Sequence, residues 1–303
     1  MNSMPTKQCG AALIMALLII AIVAALASTL MLNQQVAIQR TEIENNATQA
    51  VHDANQVLYW AMGQYITHEK QLKTTRFPLI MPMIDRKNKH IKGSLSSAQG
   101  RFNINNVSNK QYIPLFATLI ETVDHNISHS LSMQIAQATH QWLSQASNLA
   151  QTDPYIQFNP PYRIPHQLMT SASEFRLINY VTPELYQRIV PYIVALPEVT
   201  PVNPNAASVP VLISYGLKST VANAVYHFAH NSHFQNLSTF KKMAQFKAQK
   251  GKNKLVLFSL KNWYYLVHAQ VILGKINLQV FSLLFLDEKT KQLILLQQRQ
   301  GSL

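Results

Sequence analysis

The side chains best suited to chemistry in this chain are histidines. His227, His230 and His233 recur three residues apart, and His125 and His129 stand four apart. Imidazole is a common metal ligand near neutral pH. On a helix that turns about 100° per residue, however, the outer pair of the first set diverges by about 120°, a poor claw for one ion. Zinc takes about four ligands, and no cysteine lies near either set to supply more. Both sets therefore read as solvated helix surface. No nucleophile elbow, phosphate loop or paired-carboxylate motif is present, and Asp and Glu together number only 13 in 303 residues. The sequence points away from an enzyme, although a hydrolase with an uncleaved anchor and a novel site is an open alternative.

The elements that would position any site begin with the N-terminal segment. Lys7-Gln8-Cys9-Gly10 abuts an apolar run from Ala11 to Leu32, and no charge follows before Arg40. At about 1.5 Å per residue such a run spans a hydrocarbon core of about 30 Å. A secretory signal places its small-residue cleavage site after the apolar segment, so that the segment is removed. Here the small-residue junction precedes the run, and cleavage after Gly10 would leave the run on the mature chain. A plain signal anchor that has a glycine at its border is the other reading. Further on, Val36, Ile43, Ala47, Ala50, Ala54, Val57, Ala61 and Tyr65 recur at intervals of three, four or seven, with Arg40, Glu42, Glu44 and Asn45 between them. That is helical spacing. One helix is expected from Ala11 to about Lys70, half in the bilayer and half packed on a soluble domain.

Three regions follow. From about Arg76 to Val107 the chain reads as short strands broken by Pro78, Pro82, Gly93 and Gly100. Helical periods dominate from Tyr112 to about Lys250. Strands return at Trp263 to Leu273, Ile276 to Leu286 and Gln292 to Gln298, separated by the turns Gly274-Lys275 and Asp287-Glu288-Lys289-Thr290. If the two β-rich flanks pair, they form one antiparallel sheet against the long helix, and the α-rich middle is an inserted domain. The single cysteine, Cys9, lies in the expected leader, so the mature chain would be held by packing without a disulfide. The formal charge is +13. Much of it falls in two clusters, Arg76, Arg86, Lys87, Lys89 and Lys92, then Lys241, Lys242, Lys247, Lys250, Lys252 and Lys254. Both lie in polar segments and read as solubility plus docking to acidic partner surfaces. Neither has the interleaved aromatic residues of a single-strand binding platform.

Against this organisation the motifs acquire a family. The junction at Gly10 resembles the leader of type IV pilins and type II secretion pseudopilins, which a prepilin peptidase cuts after the glycine before methylating the new N-terminus. By that resemblance the mature chain begins at Ala11. Most such subunits carry glutamate as the fifth mature residue, and this chain has Met15 there. In the family picture that glutamate neutralises the buried α-amine of the neighbour nearer the tip, because one charge in lipid costs far more than two opposite ones. A non-acidic residue suits a subunit with no neighbour above it. Gly100-Arg101-Phe102-Asn103-Ile104-Asn105-Asn106-Val107 matches the G-R-F-N-L-N-N-L element of K-type minor pseudopilins. Asn159-Pro160-Pro161-Tyr162-Arg163 matches their P-P-Y-R, and Ser171 to Leu177, with Glu174, their S-x-S-E-L-R-L. Leu196-Pro197 and Pro201 to Ala207, with Asn203 and Asn205, match their A-L-P and I-N-V-N-T-A. These residues read as scaffold: Arg101 and Arg163 as donors to carbonyls, the asparagines as turn formers, and the prolines as fixed loop geometry.

The resemblance implies an α+β fold, in which a pilin-like long N-terminal helix packs on an antiparallel sheet and carries a large inserted helical domain of helix-hairpin-helix or SAM-like type. The implied segments are a leader at 1–10, a transmembrane helix at 11–32, the spine and first part of the α/β domain at 33–107, the insertion at 108–254, and completing strands at 255–303. It further implies a single-pass inner-membrane protein with its bulk in the periplasm, at the tip of the type II secretion pseudopilus. Its partners would be the I-type and J-type minor pseudopilins, the major pseudopilin, the inner-membrane assembly platform and the prepilin peptidase. No cofactor is expected. Calcium is associated with the family through an acidic stretch, but the matching region here, Gln141 to Ala146 and Ala150 to Asp153, keeps only Asp153 as an acid. Calcium wants about six to eight oxygens with several carboxylates. The other reading is a membrane-anchored helix-hairpin-helix protein for DNA binding or uptake, because Asn203 to Phe240 follows that outline. Its hairpin, Gly216-Leu217-Lys218, keeps one glycine, and the bulk of Lys218 works against a tight phosphate cradle although the lysine could still reach a phosphate.

Overall fold

A computed structural model describes residues 9–72, 78–86, 88–144, 154–244 and 257–301. It opens on a single helix, α1 (Cys9–Leu72), which at about 1.5 Å per residue is about 95 Å long. Its first half stands clear of the molecule. Leu13, Met15, Ile22 and Leu30 are exposed, and the most apolar window has a mean hydropathy of 2.8 with none of it buried. Among the described residues this is the one helix long and apolar enough to cross a membrane. The second half carries a buried stripe of Ala50, Ala54, Val57, Leu58, Ala61 and Tyr65. Val36 and Ile43, expected on the same stripe, are exposed. Packing begins at Ala50, so the apolar periodicity ran further along the helix than the domain that covers it.

The chain continues through β1 (Leu79–Ile80), β2 (Ile84–Arg86), β3 (Lys89–Ser97) and β4 (Phe102–Asn103) into α2 (Ile113–Val123), α3 (His129–Leu143), α4 (Pro183–Ile189) and β5 (Ile193–Val194). Then come α5 (Val209–Ser214), α6 (Ser219–Asn231), α7 (Leu237–Met243), β6 (Tyr264–Leu273), β7 (Ile276–Asp287) and β8 (Gln292–Gln300). The six-stranded sheet runs β1-β3-β6-β7-β8, and β2 also pairs with β3. All its pairings are antiparallel: β3 meets β6 from Lys89↔Leu273 to Ser97↔Tyr265, and β6 meets β7 from Leu273↔Ile276 to Tyr264↔Phe285. The flanks of the insertion thus close one sheet. Alternation along β6 sends Tyr265, Val267, Ala269 and Val271 to α1, and Tyr264 and Leu266 to the opposite face.

Two contacts set the distance between α1 and the sheet. Asp53 is fully buried on the helix, and Nζ of Lys89 lies 2.7 Å from its Oδ1. Gln49 Nε2 donates to the same oxygen at 3.0 Å. Lys89 had been expected among solvated charges, and it turns inward because a buried carboxylate must be paired. Gly93 was expected to interrupt a strand. It lies inside β3 instead, because a Cβ there would run into Val57 Cγ1 and come within 3.2 Å of Met81 Cβ. The glycine marks a close approach and not a break.

The helices form a second unit with its own core, built on Phe102, Ile104, Tyr112, Phe116, Phe175, Tyr215, Phe234 and Phe240. β4 and β5 pair in parallel within it. The sheet ends at Ser97, and Phe102, Ile104 and Val107 already belong to the helical core, so the chain changes unit at Ala98–Gly100. The α5–α6 hairpin turns on Gly216, whose φ of 94° is open to glycine at no steric cost.

The tight fit at Gly93 makes a prediction. Gly93→Ala should destabilise the detergent-solubilised chain by about 1–3 kcal/mol through overpacking, read as a lower urea midpoint. Adding Val57→Ala should recover most of the loss. An unchanged midpoint for Gly93→Ala alone would mean that α1 does not press on β3.

Candidate assembly surfaces

The joint between sheet and head is made of amides. Gln99 accepts from the backbone N–H of Trp263 at 2.5 Å and of Tyr264 at 3.3 Å, and its Nε2 donates to the Pro201 carbonyl at 3.2 Å. Asn203 donates through Nδ2 to Asn262 Oδ1 at 2.7 Å and to the Leu260 carbonyl at 3.2 Å, while its Oδ1 accepts from Asn205 N–H. Asn262 in turn accepts from the Ser97 hydroxyl at 2.6 Å. An amide side chain carries donor and acceptor together, so one residue can satisfy backbone groups where no strand continues.

The element from Gly100 to Val107 supplies the rest. Gly100 is buried, and a Cβ there would sit 2.8 Å from Ala206 Cβ and against the Ala206 carbonyl. The Phe102 ring lies 5.3 Å from that of Phe116 and 5.4 Å from that of Tyr215. Asn103 donates to the Glu198 carbonyl at 2.7 Å and accepts from Leu196 N–H at 3.0 Å. Asn105 donates to the carbonyls of Met169 and Leu196, each at 2.8 Å, and accepts from Met169 N–H at 2.9 Å. Asn106 holds Thr200 through both its backbone groups. Asn205 does the same for Phe234.

The remaining motif residues divide between core and surface. Glu174 closes a capping box with Ser171 and also accepts from Thr170 N–H at 2.8 Å. Tyr162 donates to the Leu177 carbonyl at 2.7 Å and stacks near Tyr155 and Trp142. Pro160, Pro161 and Arg163 are exposed. Arg101, expected to donate to carbonyls, does not: its Nη1 is shut off from solvent without a partner, and burial lowers its pKa to about 10. Gln99, Asp53 and Arg101 are the functional positions that sequence reasoning missed or misread. An aspartate inside an alanine stripe was the one available signal for Asp53.

The histidines are not brought together. His233 is buried at φ 58°, with its Nδ1 on the Ala229 carbonyl at 2.8 Å, while His230 packs on Tyr226. His129 pairs with Glu121 at 2.7 Å. Among the described residues no three His, Cys, Asp or Glu side chains are grouped to hold a metal. In the stretch weighed for calcium, Trp142 and Leu143 face the core and Ser144 Oγ donates to the His140 carbonyl, so it offers no set of carboxylates. Asp153 lies outside the described residues, as do Arg76, Lys87, Lys247, Lys250, Lys252 and Lys254. Lys218 is exposed at the start of α6, and Lys241 and Lys242 are exposed on α7.

The membrane end and the head lie at opposite ends of the sheet. Asn46, nearer the apolar half of α1, reaches the β6–β7 turn at Gly274. Tyr65 meets Tyr265, 6.1 Å between ring centroids, beside the point where the head joins. Along α1, Val36, Ile38, Ile43 and Tyr59 remain exposed. Gly10 and Ala11 fall in the first turn of the helix, and Met15 one turn on.

Residues 100–198 match the family model described as type II secretion system protein K. The chain is 28% identical over 301 residues to the type II secretion system protein K of Pseudomonas aeruginosa, which covers 88% of this chain and 85% of that one. The protein of the same name from Pectobacterium carotovorum is 26% identical and covers 64% of this chain and 65% of its own length. Among solved structures, a chain of the GspK-GspI-GspJ complex of enterotoxigenic Escherichia coli superposes with a TM-score of 0.68 at 18% identity, covering 87% of this chain and all of that one. The shared fold is the long helix, the antiparallel sheet and the helical head.

The amide network predicts an asymmetry between motif residues. Asn105→Leu loses three buried hydrogen bonds and should destabilise the chain by about 3 kcal/mol or more, at about 1–3 kcal/mol per buried group left unpaired. Arg163→Ala, on the surface, should stay within about 0.5 kcal/mol. Urea unfolding of both variants measures the difference, and equal midpoints would contradict it.

Proposed function

We propose that this chain, which belongs to the K-type minor pseudopilins of type II secretion, sits at the tip of the periplasmic pseudopilus, initiates its assembly and supports protein export across the outer membrane. The observation that carries the reading is the place of the head. It joins the sheet at the end remote from the apolar half of α1, where a subunit stacked further from the membrane would have to lie. A head at that end occupies the place of a copy above it, while Val36, Ile43 and Tyr59 on α1 stay exposed to subunits beside and below.

In this reading α1 is the single membrane anchor, the bulk of the chain is periplasmic, and the prepilin peptidase cuts between Gly10 and Ala11 and methylates Ala11. Met15 is consistent with a subunit that has no α-amine above it to neutralise. The partners are the I-type and J-type minor pseudopilins, which give their names to the complex containing the structural neighbour, followed by the major pseudopilin and the assembly platform. Exposed Val36, Ile43 and Tyr59 are the spine positions offered to them.

Maturation is tested by mass. Protein extracted from membranes should begin at N-methylated Ala11, and Gly10→Val should stay unprocessed and fail to support secretion. Retention of Cys9 in the functional protein would exclude the leader.

The tip position is tested by association. The full chain in detergent should be monomeric alone and should co-purify with the I-type and J-type subunits. Met15→Glu, which adds a carboxylate to the hydrocarbon at a cost of about 3 kcal/mol, should leave secretion equal or lower. Self-polymerisation, failure to bind either partner while those two bind each other, or a gain in secretion from Met15→Glu would place the subunit elsewhere.

A further inference from the structure

The sheet face turned away from α1 is not wholly covered by the head. Between α4 with the following Val190-Pro191 and the β7 residues Asn277 to Phe281 runs a cleft of about 1100 Å³. Val181, Pro183, Val190, Pro191 and Phe281 make its walls apolar. Its polar groups are lopsided. Among the described residues lining it are two arginines, Arg101 and Arg176, and no acid.

The two arginines are held differently. Arg176 sits over the Tyr186 ring, 5.3 Å from its centroid, and its Nε donates to the Ser173 carbonyl at 3.2 Å. Arg101 has no such support: its Nη1 is buried without a partner among the described residues. Its neighbour His268 lies flat on Phe281, 4.4 Å between ring centroids, with Nε2 also unpartnered. Burial first, and then the Arg101 charge, hold His268 below its usual pKa, so the histidine stays neutral and the positive charge of the pair is that of Arg101. A guanidinium with a buried nitrogen left unpaired and no counter-charge beside it is costly wherever it occurs. It is retained here beside an open, apolar groove.

We propose that this cleft is a docking site for an acidic side chain of a protein partner, with the carboxylate meeting the Arg101 guanidinium where it lines the cleft and apolar side chains of the same segment lying along Val190, Pro191 and Phe281. A guanidinium and a carboxylate match in geometry and charge. A protein segment fits better than a small acid because it can cover the apolar wall as well as meet the guanidinium. A free dicarboxylate would leave most of the apolar wall wet. The inference is independent of where the subunit sits in an assembly.

The test uses the full chain in detergent to capture displayed short segments from two matched pools, one with a fixed central glutamate and one with glutamine there. Recovery from the glutamate pool should exceed the other by about ten-fold or more, and Arg101→Met should abolish the excess. Since Arg101 is packed in, Gln187→Trp serves as the second variant. It starts from an exposed position on α4, fills the cleft with the guanidinium intact, and should give the same loss. Equal recovery of the pools, an unchanged excess in Gln187→Trp, binding of succinate without retention of any segment, or retention that appears only after removal of Ser302 and Leu303, which follow Gly301 at the cleft, would overturn the proposal.

Discussion

The double burial of strand β6 is the constraint on which the other elements depend. Tyr264, Tyr265, Leu266 and Val267 are all buried in succession, so the strand has no solvent face and two different partners must cover it. The spine helix takes one side and the head takes the other. A sheet with one wet face needs only one core, and alternating polarity then keeps it soluble. Here the same strand belongs to two cores, and a displacement of either partner is felt by the other through a layer about one strand thick. The head is therefore coupled to the membrane helix without touching it.

That coupling explains why the joint is polar. Residues 98–103 and 258–263 carry the chain from sheet to head and back, and at both crossings strand hydrogen bonding stops before helix bonding begins. Backbone groups left over at such a place must find partners, since buried amides without them are strongly disfavoured. Gln99, Asn103 and Asn203 provide those partners with neutral groups, and Asn262 holds Asn203 in place. Charged side chains could make the same bonds only at a larger desolvation cost.

Much of this was legible in the residues. The helix expected from Ala11 to about Lys70 is Cys9–Leu72 in the structure, and the last three strands fall within two residues of their expected bounds. Those elements are long, strongly periodic and bounded by turn residues, so local pattern suffices to find them. The misreadings share a different cause. Gly93 looks like a break along the chain and becomes a contact only when α1, far away in sequence, lies across it. Lys89 looks solvated until Asp53 meets it. Arg101 reads as a donor to carbonyls, yet its Nη1 is buried without an acceptor. The family motifs pointed to Asn103 and Asn203 at the joint but not to Gln99 or Asn262, because the division of labour among them depends on pairings some hundred residues apart that periodicity does not encode.

The charge balance follows from the same structure. The chain has half as many acids as basic residues, 13 against 26, and most described acids from Asp53 onward are engaged within the molecule. Asp53 holds Lys89, Asp124 holds Arg188 at 2.8 Å, Glu121 holds His129, and Glu198 accepts from Tyr264. Glu174 caps a turn, Asp287 closes the β7–β8 turn, and Glu288 takes Trp263 and Lys261. With basic residues in two-fold excess over acids, the net field of the molecule is positive. A surface of one sign repels copies of itself and attracts acidic neighbours, and it does so over about a Debye length before any contact forms. Self-association of the heads is disfavoured by that field as well as by their bulk. In the docking proposed above, the same field draws an acidic segment towards the cleft lined by Arg101, whose Nη1 has no acceptor among the described residues.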